Sequence, residues 1–293
     1  MNNVAIMESA KAHYNLVSDP WRYIFGDDFH FGYFESNDME LHSATKLLID
    51  KLAAMSNIKE SSKVLDVGCG IGEGAFYLNE KYKCNIVGIT ISERGVELAS
   101  AINNSKKNNP NIEFILADVL NSGFPDNSFD IVWIMEASHL MKDKKKLFLE
   151  SYRLLKTNGT MLLCDLFLNR NHNPIEVIKY YSKELFRYVK ELNILNNTFG
   201  KANLETLDYH LAILKNNQFY NIEAQDVSKN VFPTMEHWRK NIKENMEKIK
   251  LHLNTKQIDE FLLSCNVLER FFSDNILSYR LLKATKKTYE RIT

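Results

Sequence analysis

Val64-Leu65-Asp66-Val67-Gly68-Cys69-Gly70-Ile71-Gly72 runs from an apolar, β-branched segment into three alternating glycines. Glu73 then opens an amphipathic segment that reaches Tyr82. A strand buried on both faces, a tight loop and a helix account for that order. Glycine tolerates positive φ and lets the backbone approach a ligand closely, while the helix start behind it presents free N–H groups. A dinucleotide loop needs G-x-G-x-x-G. Here Glu73 stands three residues after Gly70 and the third glycine comes early, at Gly72. The spacing is G-x-G-x-G and fails the NAD pattern.

Outward from this loop the same alternation continues. Short apolar runs at Ile86–Ile89, Ile112–Leu116, Ile131–Met135 and Met161–Cys164 are separated by helical stretches at Glu73–Tyr82, Glu93–Asn104 and Lys144–Leu155. Strand and helix in turn predict a doubly wound α/β core with a parallel sheet, whose ligands bind at the strand C-terminal ends. Ser43–Met55 reads as a helix before the core. After it, Ile175–Leu195 reads as a helix, Phe219–Val227 as a strand, Glu236–Leu253 and Ile258–Phe272 as helices, and Ile276–Ala284 as a last strand. The expected division is an N-terminal helical flap (1–56), a cofactor-binding core (57–170), a helical cap (171–203), and the rest of the core with inserted cap helices (204–293).

Composition narrows the function. The 293 residues carry 37 basic and 37 acidic side chains, with 45% hydrophobic residues. That balance disfavours nucleic acid and anionic membrane surfaces, which demand a basic excess. The four cysteines (Cys69, Cys84, Cys164, Cys265) form no C-x-x-C pair, so a zinc ribbon or disulfide framework is not expected. The first residues lack the basic start and apolar core of a signal peptide, and no apolar run approaches the ~18 residues of a membrane span. A cytoplasmic, reduced protein is the expectation.

Asp66 to Gly72 resembles the first motif of the class I S-adenosylmethionine-dependent methyltransferases, and further motifs follow in that family's order. Gly88-Ile89-Thr90-Ile91-Ser92 resembles the G-x-T-x-S of a small-molecule branch, with Gly95 where that branch carries glutamine. Ala117-Asp118-Val119 resembles the adenine-binding turn, Pro125–Asp130 the turn before the fourth strand, and Leu155–Thr160 the L-K-P-G-G turn before the fifth. Phe25–Phe34 is similar to the G-x-x-x-H-x-G-Y-[WF] segment of the glycine and sarcosine, tocopherol-type and rebeccamycin-type sugar methyltransferases. The resemblance implies a Rossmann-like, seven-stranded, mostly parallel sheet with helices on both faces. It also implies S-adenosylmethionine as cofactor and S-adenosylhomocysteine as product, held by Tyr33, Asp66, Gly68, Gly70, Gly72, Thr90, Ser92, Asp118, Val119 and Glu136. Ser92 also suits a helix N-cap, Tyr33 also suits an aromatic anchor, and His30 is expected to fix local structure through a backbone hydrogen bond.

Methyl transfer to a hydroxyl needs alignment and a base. In Met135-Glu136-Ala137-Ser138-His139-Leu140-Met141, His139 aligns with the first histidine of the E-S-x-H-H-M segment in rebeccamycin-type sugar O-methyltransferases. Asp165 matches an acid after their fifth strand. Neighbouring strands four and five bring the two to one cavity, where a carboxylate would fix the imidazole tautomer. His139 and Asp165 are therefore the expected catalytic pair, and Glu136 is expected to support the loop. No metal is expected, since Leu166 follows Asp165 where a clustered oxygen ligand would be needed. The predicted activity is methylation of a small-molecule hydroxyl, on a natural product or metabolite of apolar or ring-bearing character. N- or C-methylation, a repurposed cyclase and a non-catalytic binder stand as alternatives, and homo-oligomerisation is open.

Overall fold

A computed structural model describes residues 3–26, 28–106, 108–169 and 185–287. The chain begins with two helices, α1 (Asn3–Phe25) and α2 (Leu41–Ala53). It then alternates β1 (Lys63–Val67), α3 (Glu73–Tyr82), β2 (Asn85–Thr90), α4 (Glu93–Ser105), β3 (Ile112–Leu116), β4 (Phe129–Met135), α5 (Lys144–Leu154) and β5 (Leu155–Leu168). After the helix α6 (Leu185–Phe199) come α7 (Leu207–Asn216), β6 (Phe219–Asp226), α8 (Thr234–Glu244), α9 (Thr255–Ser273) and β7 (Leu277–Lys286). The strands form one seven-stranded sheet in the order β3-β2-β1-β4-β5-β7-β6. β1 to β5 are parallel, and β7 runs antiparallel to both β5 and β6.

The period-two geometry of a strand sends neighbouring side chains to opposite faces. Val64, Ile86, Ile131, Trp133 and Leu162 thus belong to one buried cluster, while Leu65, Val67, Val87, Val132 and Leu163 belong to a second. Two cores, one on each face, explain why these strands read as continuous apolar runs. The first core is the larger. It absorbs Val17, Trp21, Ile24 and Phe25 of α1 and Leu48, Ile49 and Leu52 of α2, so the N-terminal segment is built into the molecule.

The expected helix from Glu236 to Leu253 is interrupted. α8 stops at Asn245, whose side-chain Nδ2 donates to the carbonyls of Asn241 and Tyr23, and a separate turn, Met246–Ile249, follows. An amide that satisfies helix carbonyls from its own side chain competes with the ladder. Of the expected helix Ile175–Leu195, residues 175–184 lie outside the described residues. α6 ends at Gly200, whose φ of +85° suits glycine. No helix among the described residues is long and apolar enough to cross a membrane.

Candidate active site

The glycine loop is anchored from behind. Gly68 and Cys69 donate backbone N–H bonds to the carbonyl of Ile89 at 2.8 and 3.1 Å. The glycines do different work. A Cβ on Gly68 would stand 2.4 Å from the Ala137 Cβ, so this glycine lets the β1 and β4 loops touch. One on Gly72 would strike Phe114 at 2.5 Å, whereas Gly70 (φ +56°) has nothing within 4 Å of that position. Gly68 and Gly70 line a cavity of about 350 Å³, within the usual range of ligand pockets, while Gly72 caps α3 behind it.

Thr90, Ser92, Asp118, Val119 and Glu136 line the same cavity. Asp118 Oδ1 caps the turn Val119–Asn121 by accepting from Leu120 N at 2.9 Å. Ser92 is an N-cap, as its position suggested: its Oγ accepts from Gly95 N at 3.0 Å. Gly95 itself has a packing reason. A Cβ there would lie 2.9 Å from the Gly70 carbonyl oxygen, so the glutamine of the related branch has no room. Asp66 lies in an adjoining recess with Asp28, His30 and Glu73, and burial pushes its carboxyl up to about 7.

Tyr33 is placed elsewhere. Its ring lies under the Lys51 ammonium at 4.8 Å, and it lines none of the cavities described here. Phe29 and Tyr14 line both the glycine-loop cavity and the chamber beyond it. His30 does fix local structure: its Nδ1 donates to the Phe31 carbonyl at 2.7 Å.

No residue of α1 carries a motif that points to the site, yet Ala10, Tyr14 and Ser18 form one wall of the cavity. Asn15 docks that helix on α4. Its Oδ1 accepts from Ser92 Oγ (2.7 Å) and Arg94 N (3.2 Å), and Arg94 forks onto Asp19 at 2.9 Å through Nε and Nη2. The signal in the sequence is only an amphipathic stretch, which names no partner.

Beyond Tyr14, Phe29 and Glu136 lies a smaller chamber of about 80 Å³. Its walls are mainly aromatic: Trp21, Phe25, Phe31, Phe199 and Trp238, with Trp238 held edge-on to Phe25 at 4.7 Å between ring centres. Its polar groups are Tyr14, Glu136, His139 and Asp165. Parallel pairing of Met135 with Cys164 sets the next residues side by side, Glu136 just past the end of β4 and Asp165 within β5. Asp165 thus lines the chamber and not the glycine-loop cavity.

Asp165 is almost wholly buried and accepts four hydrogen bonds: from Ser138 Oγ (2.6 Å), His139 N (2.9 Å), His139 Nδ1 (2.8 Å) and Leu166 N (2.8 Å). Burial alone would raise its carboxyl, but His139 and these donors outweigh it and hold the group down at about 2. An ionised carboxylate only accepts, so His139 Nδ1 carries the proton of that bond. Glu136 behaves oppositely. Burial pushes it up to about 8, against the bonds it accepts from Tyr279 Oη (2.6 Å) and Phe31 N (2.8 Å). No group of three or more His, Cys, Asp or Glu side chains is placed to hold a metal among the described residues.

The sheet order is that of the Rossmann-like methyltransferase fold, and the protein is a class I S-adenosylmethionine-dependent methyltransferase. The sequence matches the mycolic acid cyclopropane synthetase family over residues 2–280, and the chain belongs to that family. It is similar to 27-O-demethylrifamycin SV methyltransferase of Amycolatopsis mediterranei (strain S699), at 27% identity over 273 residues, covering 93% of this chain and 95% of that one. It is 32% identical over 241 residues to phosphoethanolamine N-methyltransferase of Plasmodium falciparum (isolate 3D7), covering 81% and 80%. The crystal structure of mycolic acid cyclopropane synthase CmaA1 complexed with SAH and CTAB shares the fold with a TM-score of 0.84 at 21% identity, covering 96% and 98%.

The residues present fit the cofactor. The open space before Gly70 admits a ligand against the backbone, Asp118 stands at the cavity wall, and the recess holds the desolvated carboxyl of Asp66, which a cationic group would satisfy.

Proposed function

We propose that the enzyme methylates a hydroxyl of an apolar or ring-bearing small molecule, with His139 as general base. The observation that carries this reading is the His139–Asp165 pair in the wall of an aromatic chamber, with Tyr14, Phe29 and Glu136 between it and the glycine-loop cavity. Such walls favour flat or greasy acceptors over charged ones, because burying an unpaired charge is costly.

When bound, S-adenosylmethionine supplies the methyl group and the sulfur that leaves with the electron pair of the broken C–S bond. The chain's own part is to hold the acceptor oxygen in line and to remove its proton. His139 Nε2 takes that proton as the new C–O bond forms. Asp165 keeps the opposite nitrogen protonated and stabilises the imidazolium that results, without itself taking the proton. Gly68, Gly70, Thr90, Ser92, Asp118 and Val119 are assigned to the cofactor, while Glu136 supports the wall shared by the two spaces.

The test is a screen of hydroxylated aromatic and terpenoid acceptors, read by mass for a gain of one CH₂, followed by His139→Ala. Turnover should fall by ~10²–10⁴-fold while S-adenosylhomocysteine binding by calorimetry stays unchanged. Undiminished turnover in His139→Ala would remove the base, and no mass gain on any hydroxylated acceptor would move the reading to a nitrogen or carbon acceptor.

A further inference from the structure

We propose that Lys144 is a positioning residue: its buried ammonium, together with Asn203, fixes the turn that presents His139 to the acceptor chamber. The inference rests on reading His139 as the base.

Lys144 opens α5, yet it is only 1% exposed. Its Nζ donates to three carbonyls: Ser138 (2.6 Å), Met141 (2.5 Å) and Asn203 (2.8 Å). Two of these bracket the turn Ser138–Leu140 that contains His139; the third belongs to the segment after the helix α6. An ammonium has three N–H donors, so donors and acceptors match one to one. Asn203 closes the same turn from the other side. Its N–H donates to the His139 carbonyl at 2.6 Å and its Nδ2 to the Leu140 carbonyl at 3.2 Å.

The backbone of His139 is thus held at N by Asp165, at its carbonyl by Asn203, and on both flanks by Lys144. The His139 Nδ1–Asp165 bond depends on that backbone, because the same carboxylate accepts from the ring and from the main chain. The groups whose charge acts on Lys144 are Asp165 and Glu205. Lys144 does not line the glycine-loop cavity, so its part in the site is played through the His139 turn. Methionine at this position keeps the volume but removes all three donors: the Ser138 carbonyl keeps only the Met141 N–H, while the Met141 and Asn203 carbonyls lose their ammonium, so the turn shifts to reach other donors.

Long-range ¹H–¹⁵N correlation of the histidine ring, assigned with His139→Ala, tests the proposal on the full chain with S-adenosylhomocysteine bound. The wild type should show one His139 tautomer, protonated at Nδ1. Lys144→Met should show a mixture of tautomers, while affinity for S-adenosylhomocysteine stays within about twofold. Should Lys144→Met fail to fold, Lys144→Gln, which restores up to two donors, should give a partial mixture. A single wild-type tautomer in the folded variant overturns the proposal. So does a loss of S-adenosylhomocysteine affinity beyond about tenfold, which would make Lys144 a general support of the fold. Full turnover by His139→Ala would remove the base and leave this ring signal unaffected, so the two failures are distinguishable.

Discussion

His139 Nδ1 lies 2.8 Å from Asp165 Oδ1, and the other oxygen of the same carboxylate accepts from the His139 backbone N–H at 2.9 Å. One side chain therefore fixes both the place of the imidazole and its tautomer. The arrangement depends on an acid that stays ionised while buried, and the Ser138 hydroxyl and the Leu166 N–H complete its shell.

That shell makes Asp165 a source of acid sensitivity. The Asp165 carboxyl sits at about 2 in the fold, against an ordinary value of 3.8. A depressed carboxylate contributes stability that is fully present above the unfolded value and is lost as pH falls toward the folded one. Urea unfolding should therefore show the wild type losing roughly 1 kcal/mol more than Asp165→Asn between about pH 5 and about pH 3.

Glu136 should act in the opposite sense. Its carboxyl is raised from 4.5 to about 8. A raised acid contributes stability that is full below the unfolded value and is lost as pH rises through the folded one. Between about pH 5 and about pH 8, the wild type should lose up to about 1.4 kcal/mol per pH unit relative to Glu136→Gln. Denaturation curves of the two proteins across that window check it.

Gly95 stands where a related branch carries glutamine, and the reason is steric. A Cβ there would press on the Gly70 carbonyl at 2.9 Å and drive α4 away from the loop. Gly95→Gln should weaken S-adenosylhomocysteine binding by about tenfold, the consequence of ~1–2 kcal/mol of loop displacement. Isothermal calorimetry measures it.

Docking of α1 on α4 through Asn15 walls the glycine-loop cavity. Asn15→Ala removes the acceptor for Ser92 Oγ and Arg94 N. It should raise the S-adenosylhomocysteine dissociation rate by about fivefold, the effect of ~1 kcal/mol. Stopped-flow displacement resolves the rate, and an unchanged rate would show that α1 stays closed without this contact.

Much of the frame was legible in the residues. Runs such as Val64–Val67 and Ile131–Met135 are local signals, since a strand buried on both faces must be apolar along its length. The glycine spacing, Asp118 and the Ser92 cap were legible for the same reason, because each acts within a few residues of itself. The break at Asn245 was not, because the tyrosine carbonyl that shares its amide lies at Tyr23, on another helix. Tyr33 carried the right motif and landed under Lys51, while Phe29, four residues earlier, reached both cavities.

The sequence by itself determined the class of fold, the cofactor and the pairing of His139 with Asp165, because strand order brings consecutive loop ends together. Only the tertiary structure decided which groups close the site. Tyr14 and Asn15 come from α1, Trp238 from α8, and the Asn203 carbonyl meets Lys144 from fifty-nine residues away. Contacts of that separation leave no periodic trace in the chain. They depend on how whole helices settle on the two faces of the sheet, which is fixed by the packing of the complete core.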